Sequence, residues 1–401
     1  MQQVCPKESC TGCTACMNVC PHKAISMKAD KYGFYYPDID QDKCVDCGLC
    51  VATCPSLHNV RVNYPSECYA VLSNDKDEVK RVASGGMASL LSRYVLDKGG
   101  VVYGSDGTDI RNVHHTRIDK IEQLDNLRGS KYVQSYLGTV YSQVKNDLRE
   151  GKLVLFTGTG CQVAGLKAYL HNKDYENLIT VDLVCHGVPS QQMLNDNIDL
   201  YTSKKGEPCK VAFRMKPVSA PNPNVMHRIT FGWFFQNQPY VDGWKIYKPY
   251  NVDPYMTGFI GCLTFRPSCY QCKYACAARC ADFTIADFWG LSEKSGFKES
   301  DGVSLALLNT KKAINIWKDL SQTCKSTKRN VVEAINGNGQ LQRPSAKPYT
   351  YELFRETYPS KPFKESVLEC SKPFFKSERN KRIKASLQNV KKVIKLILGS
   401  K

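Results

Sequence analysis

Short apolar segments alternate with helix-like segments through the middle of the chain. The stretches "VVYGS", "KLVLF" and "NLITVDLV" are each long enough for one buried strand, and each adjoins a segment with helical spacing. In "MASLLSRYVLDKGG", Met87, Leu90, Leu91 and Val95 recur at helical spacing until a glycine pair ends the pattern. This alternation predicts an α/β core in which the main strands run parallel.

Other strand-like segments flank this core. "AISM" and "GFYYPDI" near the start predict two short strands, and "KVAFRMKP" with "HRITFGWFF" predicts an antiparallel pair after the core. "SLALLNT" predicts a late buried strand, which a helix at "AINIWKDL" follows. No apolar run reaches the roughly 18 residues that a membrane-spanning helix requires, so no such helix is expected.

Two cysteine motifs near the start share the spacing C-x2-C-x2-C-x3-C-P and are 34 residues apart. In such motifs three thiolates bind one iron–sulfur cubane, and the fourth completes the neighbouring cubane. The pair resembles a bacterial-type two-cluster ferredoxin module. Two zinc sites are the alternative, although zinc needs neither the cysteine triple nor the following proline. The first cluster is assigned to Cys10, Cys13, Cys16 and Cys54, and the second to Cys44, Cys47, Cys50 and Cys20.

Composition agrees with a metal-binding protein. The start, "MQQVCPKESC", lacks the features of a signal peptide, so 20 cysteines in 401 residues predict metal sites in a cytoplasmic protein. The formal net charge is +17, and three cubanes with their thiolates would lower it to about +11. That charge favours anionic partners. Cys5 lies outside both motifs and is interpreted as an ordinary thiol.

A further group of cysteines is spread along the α/β region. Cys161 and Cys185 each follow a predicted strand, and a crossover helix between these strands would bring both strand ends to one edge of the sheet. Farther on, "CYQCKYACAARC" contributes four more cysteines. The residues alone leave three options open: the two groups combine, the later four bind a cluster by themselves, or all are buried thiols.

Seven segments of this region, in their order, resemble the coenzyme F420 hydrogenase/dehydrogenase beta-subunit family. They are "VASGGMASLL", "RGSKYVQS", "GTGCQVAGL", "VCHGVPS", "RPSCYQCKY", "ADFTIADFWG" and "DGVSLALLNT". The resemblance implies a flavoprotein with iron–sulfur clusters, which a ferredoxin module often precedes. The expected fold is therefore an α+β ferredoxin-like two-cluster module followed by an α/β flavoprotein domain with a mixed sheet.

The resemblance also implies a third [4Fe-4S] cluster with ligands from three segments. Gly160 departs from the family pattern, in which proline often precedes the cysteine. The extra thiols of Cys276 and Cys280 keep a rival open, in which the four cysteines of "CYQCKYACAARC" hold the cluster. The implied ligands are Cys161, Cys185, Cys269 and Cys272.

FAD is the other cofactor that the resemblance implies. The glycine-rich start of the helix in "SGGMASLL" suits its pyrophosphate, because a helix N-terminus favours anions; a plain helix cap is the alternative. The segment "SKY" offers a hydroxyl, a positive charge and an aromatic ring to the phosphates or the flavin ring; an exposed lysine is the alternative there. The predicted FAD contacts are Ser84, Gly85, Gly86, Ser130, Lys131 and Tyr132.

The expected function is electron transfer between the clusters and FAD, and on to an organic substrate, a deazaflavin or a ferredoxin carrier. No catalytic side chain is singled out. A non-catalytic electron-relay subunit of a larger redox complex is the alternative. Members that resemble this chain accompany polysaccharide-synthesis enzymes in some anaerobic bacteria, so a sugar-linked acceptor is a further option.

The end of the chain is basic. Residues 372–401 contain ten Lys or Arg and one acid, and apolar residues from Ile383 to Ile397 predict an amphipathic helix. Such a helix would lie on a membrane surface, contact an acidic partner or pack on its own domain; nucleic acid is not expected, because no recognised nucleic-acid-binding fold accompanies the charge. The expected units are a ferredoxin-type domain (1–62), a flavin-binding part (66–145), a cluster-binding part (146–330) and a helical extension (331–401).

Overall fold

The computed structural model describes residues 3–205, 210–214, 230–234, 244–249, 253–291, 295–297 and 302–372; the predicted basic helix from Ile383 to Ile397 lies outside them. No helix in these ranges is both long and apolar enough to cross a bilayer. The strands are β1 Ile25–Ala29, β2 Tyr35–Ile39, β3 Glu67–Ser73, β4 Val101–Asp106, β5 His114–Ile118, β6 Val154–Thr159, β7 Leu178–Leu183, β8 Lys210–Ala212, β9 Thr230–Phe234, β10 Trp244–Pro249, β11 Phe283–Asp287, β12 Ser304–Leu308 and β13 Cys324–Arg329. The helices are α1 Ala15–Val19, α2 Leu49–Ala52, α3 Lys76–Arg81, α4 Met87–Leu96, α5 Leu124–Leu127, α6 Val140–Arg149, α7 Gly160–Tyr169, α8 Gln191–Lys205, α9 Pro254–Ile260, α10 Lys311–Leu320, α11 Val331–Gly337, α12 Tyr351–Thr357 and α13 Phe363–Cys370.

The ferredoxin module repeats its backbone as well as its sequence. The predicted strands form the antiparallel hairpin β1–β2, with Ile25 opposite Ile39. Each cysteine motif contains a short helix, α1 or α2. Left-handed backbone occurs 34 residues apart in both motifs, at Gly12 and Asp46 and again at Thr14 and Gly48. Both cysteine loops therefore wind in the same way, as two equivalent cluster sites require.

An eight-stranded mixed sheet forms the centre of the molecule. Its strand order is β13-β3-β12-β11-β7-β6-β4-β5. Strands β11, β7, β6 and β4 pair in parallel, as the alternation of strand and helix predicts, whereas the outer pairs are antiparallel. Strands from both predicted parts, 66–145 and 146–330, join this one sheet. We call the edge where β3, β4, β6, β7 and β11 all end the carboxyl edge.

Helices cover both faces of the sheet. On one face α4 and α10 pack their apolar sides on alternate strand residues, such as Val102 and Leu155. On the other face α6 and α7 cover the neighbouring residues Val101 and Val154. Because β4 and β6 are buried on both sides, each begins with consecutive apolar residues, Val101–Tyr103 and Val154–Phe156, rather than an alternating pattern. This arrangement confirms the predicted α/β core.

The ferredoxin hairpin is built into a separate aromatic core. Phe34 of the hairpin packs in one cluster with residues of α8, α9, α12 and α13, including Tyr255, Phe354 and Phe363. The ferredoxin module is therefore anchored to the rest of the chain by buried apolar contacts.

The short strands β8, β9 and β10 form a three-stranded antiparallel sheet, as predicted for this region.

Gly85→Ala is expected to destabilise the fold strongly. A Cβ atom at Gly85 would lie 2.0 Å from the carbonyl oxygen of Val71 and 2.6 Å from the amide nitrogen of Ser304, both backbone atoms that cannot move aside. The loss should reach about 3 kcal/mol or more in the free energy of unfolding, measured anaerobically by chemical denaturation. Gly339→Ala is the matched control, since a Cβ there meets no atom within 4 Å. Equal stability of the two variants would contradict the prediction.

Candidate iron–sulfur and flavin sites

The four cysteines assigned to the first cluster lie together in the ferredoxin module, and all four are buried. Burial raises the pKa of the Cys13 thiol to about 12, and negative charge on Cys10 and Cys54 acts in the same direction. Burial likewise raises the pKa of Cys16, with the charges of the other three contributing. The last cysteine of the second motif therefore lies beside the first three of the first motif, as the spacing predicts.

The remaining four cysteines of the two motifs line one cavity. They are accompanied there by His22, Ile25 and Gly48. Cys47 is exposed, so this set lies nearer the surface than the first. The cysteines that line the cavity are Cys20, Cys44, Cys47 and Cys50.

The third set of thiols gathers at the carboxyl edge. Strands β6 and β7 pair in parallel with Thr159 opposite Leu183, which confirms that both strands end at the same edge. Cys161 lies in the first turn of α7, and Cys185 lies two residues beyond β7. The other two cysteines of the set belong to a 3-10 turn, Pro267–Gln271, and the residue that follows it.

These four thiols are close enough to interact electrostatically. Burial raises the pKa of Cys185 to about 12, and the charges of Cys161 and Cys272 add to this effect. Burial raises the pKa of Cys272 to about 11, with Cys161 as the next cause. Burial also raises the pKa of Cys269, and the charges of Cys185, Cys272 and Cys161 raise it further. Two strand ends and one loop therefore converge on the same volume.

The two extra cysteines of the rival assignment have other contacts. The Cys276 thiol donates to the carbonyl oxygens of Lys273 (3.4 Å) and Ala278 (3.3 Å). The Cys280 thiol is fully buried and donates to the carbonyl oxygen of Gly160 at 3.3 Å. These contacts favour the ligand set with Cys161 over the rival, and the assignment itself stays a prediction.

A buried ion pair fixes the loop that carries the later cysteines. Arg279 and Asp182 have side chains 2% and 0% exposed, and their closest atoms, Nη2 and Oδ2, lie 3.1 Å apart. The same guanidinium donates to the carbonyl oxygens of Leu183 (3.0 Å), Tyr274 and Cys276 (3.3 Å). Arg279 therefore ties the end of β7 to the cysteine loop.

The first and third sets are neighbours across the domain boundary. A Cβ atom at Gly165 of α7 would lie 3.0 Å from the Cys13 sulfur, so the helix that begins beside Cys161 rests directly on the first set. Tyr274 donates to the carbonyl oxygen of Pro55 at 3.4 Å. The three sets form a series from the exposed Cys47 to the carboxyl edge.

The chemistry of the donors fits cubane clusters. Each set supplies four cysteine sulfurs, which is the ligand number of a [4Fe-4S] cluster. In the described ranges no three His, Cys, Asp or Glu side chains are close enough to share a single metal ion. In a cubane each thiolate binds a different iron atom, so its ligands surround a volume rather than a point.

Two residues beside the first set have contacts that the sequence did not indicate. The Cys5 thiol, interpreted as an ordinary thiol, is hydrogen-bonded to the sulfurs of Cys10 and Cys54, and it lowers the pKa of each to about 6. Its position five residues before the motif was the available signal. Arg266 also contacts Cys10, from 256 residues away, and no local pattern pointed to it.

The segment predicted to bind the FAD pyrophosphate lies at the carboxyl edge. Gly85 packs against the sheet backbone, and Gly86, with φ of 93°, begins α4. The amide of Met87 lies 3.5 Å from the Ser304 hydroxyl oxygen. Packing and backbone conformation therefore explain why glycine occupies both positions. The N-terminal end of the ten-residue helix α4 is turned toward the edge and fits an anionic group.

The second predicted FAD segment borders the same edge. The ammonium of Lys131 donates to the carbonyl oxygens of Arg128 (2.9 Å) and Asn126 (3.4 Å). The Tyr132 ring stacks on Phe259, with centroids 4.6 Å apart, so that ring packs in the aromatic core. Burial raises the pKa of Tyr132. The charge of Asp287 raises this pKa further, whereas Arg214 and Ser130 lower it.

The two FAD segments are connected through strand ends. Asp287 at the end of β11 pairs with Ser304 at the start of β12, which approaches the first turn of α4. Asp287 also forms an ion pair with Arg214, the neighbour of Tyr132. The residues present fit an anionic cofactor at this edge, and the individual contacts stay predictions.

Comparisons with known proteins give results for two parts of the chain. The family model for the C-terminal region of the coenzyme F420 hydrogenase/dehydrogenase beta subunit matches residues 151–333. The "4Fe-4S dicluster domain" model matches residues 9–57.

Three curated proteins match short stretches of the chain. Ketoisovalerate oxidoreductase subunit VorC of Methanothermobacter marburgensis is 32% identical over 56 residues, which are 14% of this chain and 71% of that protein. NADH-quinone oxidoreductase subunit I 2 of Geobacter metallireducens is 40% identical over 55 residues, 12% of this chain and 41% of that protein. An uncharacterized ferredoxin of Methanocaldococcus jannaschii is 36% identical over 50 residues, 12% of this chain and 64% of that protein. The chain therefore spans between about two fifths and seven tenths of the lengths of these relatives.

A solved structure is similar over a longer range. It is a chain of the F420-reducing [NiFe] hydrogenase complex from Methanosarcina barkeri, 18% identical, with a TM-score of 0.45. The match covers 72% of this chain and 98% of that chain. Because the two family models agree with the motifs and cysteine spacings, the protein is an iron–sulfur electron-transfer protein of the oxidoreductase type. Residues 151–333 match the coenzyme F420 hydrogenase/dehydrogenase beta-subunit family, and a 4Fe-4S dicluster domain lies ahead of that region.

Proposed function

We propose that the protein is an iron–sulfur flavin oxidoreductase, with three [4Fe-4S] clusters and one FAD. The observation that carries this proposal is the third set of thiols, Cys161, Cys185, Cys269 and Cys272. It lies at the carboxyl edge of the sheet, directly beside the dicluster module. Ligands of α/β proteins bind at this edge, so a cluster there would join the module to a bound organic cofactor.

The series of thiol sets supports a route for single electrons. Electrons would enter or leave at the second cluster, because Cys47 is exposed. They would pass through the first cluster, which buried residues surround, to the third. The contact of Gly165 with Cys13 keeps the last two centres adjacent without an intervening side chain. The order along the route is therefore second, first, third and then the edge.

FAD bound at this edge would supply the conversion between a two-electron hydride transfer and one-electron transfers. The chain's own residues would bind and orient it: the N-terminal end of α4 would attract its anionic part, and Lys131 would add a positive charge. The carbonyl oxygens of Asn126 and Arg128 hold the Lys131 ammonium in place. The stack of Tyr132 on Phe259 makes the neighbouring wall apolar and excludes water.

The partners proposed are a ferredoxin at the exposed cluster and a reduced organic carrier, such as a deazaflavin, at the edge. The basic residues after Lys372 would contact an acidic partner or a membrane surface. A non-catalytic relay subunit of a larger redox complex is the second candidate, favoured by the dicluster module, since such modules are electron-transfer units. A sugar-linked molecule is proposed as a further electron acceptor.

Cofactor content and a donor screen test the proposal together. Anaerobically purified protein should hold about twelve irons and one FAD per chain. After reduction with dithionite it should reduce one class among deazaflavins, ferredoxins and nucleotide sugars in preference to the others. Full iron without FAD and without a preferred acceptor would support the relay subunit instead.

Cys161→Ala is the matched control in this screen. It removes the proposed third cluster from the route while it leaves the residues predicted to contact FAD unchanged. Reduction of FAD by reduced ferredoxin should then slow by at least about tenfold, whereas reduction by a hydride donor should be unchanged. Equal slowing with both donors would contradict the route.

A further inference from the structure

Arg266 is a buried cation that lies against the first thiol set. Its side chain is 1% exposed, and it is three residues ahead of Cys269. Nε donates to the carbonyl oxygen of Cys10 at 2.7 Å, and Nη2 donates to the carbonyl oxygen of Tyr35 at 2.7 Å. Nη2 also lies 3.7 Å from the Cys10 sulfur. The loop of the third set therefore inserts its arginine into the ferredoxin module.

No carboxylate forms an ion pair with Arg266 in the described part of the chain. The hydrogen-bond acceptors around Arg266 are two carbonyl oxygens, the Cys10 sulfur and the Gln134 amide oxygen at 3.1 Å. The rings of Tyr36 and Phe34 lie 4.3 and 5.6 Å from the guanidinium carbon. Burying a cation without a counter-charge is strongly unfavourable, so a fold that does so needs an anion at this position.

The first cluster would supply that anion. A cubane with four thiolates carries a net charge of about −2 when oxidised and about −3 when reduced. Among the described residues, neither arginine nor lysine lines the cavity of the second site. We propose that Arg266 is the counter-ion of the first cluster and raises its reduction potential above that of the second.

This role follows from the charge that reduction adds. One electron enters the cluster from a one-electron carrier at the exposed second site, no proton is taken up, and the added negative charge lies beside the guanidinium. In a low-dielectric site such a cation stabilises the reduced form more than the oxidised form. The first cluster would hold the electron between the second and third centres, beside the loop that carries both Arg266 and Cys269. The inference rests on the proposed assignment of Cys10 as a ligand.

Arg266→Gln tests the charge, with Arg266→Lys as the conservative partner. The midpoint potential of each cluster is followed by electron paramagnetic resonance during a dithionite titration, and Cys47→Ser and Cys161→Ala identify the signals of the second and third clusters. In Arg266→Gln the reduced-to-oxidised ratio of the first cluster at a fixed potential should fall by about tenfold, a shift of about 59 mV for one electron. In Arg266→Lys it should change by less than about threefold.

Gln134→Glu tests the same effect of charge on the first cluster if Arg266→Gln does not fold. It leaves Arg266 in place and sets a carboxylate against Nη1, so it should lower the first potential in the same direction. Unchanged first-cluster potentials in Arg266→Gln or Gln134→Glu with full iron, or an equal shift in the second cluster, would overturn the proposal. A shift in Arg266→Lys as large as that in Arg266→Gln would also overturn it. Iron analysis of the wild type separates these outcomes from failure of the cluster assignment. About four irons or fewer would refute the assignment itself, whereas about eight or more with unchanged potentials would refute only the role of Arg266.

Discussion

Cys161→Ala should lose about four of the twelve irons expected per chain, while the two ferredoxin clusters remain. Cys161 lies in the first turn of α7, and its charge acts on Cys185, Cys269 and Cys272. Removing one of four ligands opens one corner of a cubane, and an opened corner exposes iron to solvent and to loss. Iron and acid-labile sulfide, measured on protein purified without oxygen, give the number directly.

Cys276→Ala is the matched control for this experiment. Cys161 lies in the first turn of α7 and Cys276 in a neighbouring loop, and the substitution is identical. The Cys276 thiol donates only to carbonyl oxygens of its own loop, at Lys273 and Ala278, among the contacts described. Its loss should leave the iron content unchanged. If Cys276→Ala loses a third of the iron and Cys161→Ala does not, the cluster is held by the four later cysteines.

The cysteine spacing predicted most of the two ferredoxin sites because cluster ligands there are local. Within each motif the residues are two or three apart, and the geometry of a cubane fixes which thiolates share it. The exchange of Cys20 and Cys54 between the motifs needed only the 34-residue repeat, and the structure groups these cysteines accordingly. The hairpin of "AISM" and "GFYYPDI" likewise followed from strand-like segments on either side of a turn.

Prediction of the third set of thiols required both the topology of the sheet and the resemblance to the family. Parallel pairing of β6 and β7 could be predicted from one crossover unit, and it brought Cys161 and Cys185 to one edge. The insertion of β12 between β3 and β11 could not be predicted, since its residues are far apart in sequence and any buried strand would suit the position. The role of Gly85 against Val71 and Ser304 depends on that insertion.

The predicted flavin segment shows what local sequence patterns leave undetermined. An aromatic residue beside a lysine suggests a stacking face for a ring, but packing against distant residues decides where such a ring points. Tyr132 stacks on Phe259, 127 residues away. Arg266 was missed for the same reason, since nothing near it in sequence indicates that it contacts Cys10. Charges and rings that act between domains are visible only once the domains are packed.

Contact between the dicluster module and α7 explains why one chain carries both parts. Electron transfer needs centres at short separation, and a small residue permits the closest approach of a helix to a cluster ligand. Gly165 of α7 packs against Cys13, and Arg266 donates to the carbonyl oxygen of Cys10. Two contacts from separate segments hold the module in one orientation, so that the first and third sets of thiols keep a fixed separation.

Asp182→Asn should destabilise the protein by about 3–5 kcal/mol, because it leaves Arg279 buried without its counter-charge. Asp182 is fully buried and also accepts from the Thr284 hydroxyl at 2.6 Å. The change in the free energy of unfolding is measured anaerobically in guanidinium chloride, with tryptophan fluorescence as the signal. Asp174→Asn is the matched control. Its carboxylate pairs with Arg61 at 3.1 Å, but the two side chains are 82% and 69% exposed.

The exposed pair should contribute no more than about 1 kcal/mol, so Asp174→Asn should unfold at nearly the wild-type denaturant concentration. In Asp182→Asn the loop that Arg279 ties to β7 should loosen as well, because the same guanidinium donates to the carbonyl oxygens of Tyr274 and Cys276. We therefore expect the third cluster to be lost before the other two during storage. Equal stability of the two variants, with iron retained in both, would show that the buried pair does not hold the cysteine loop in place.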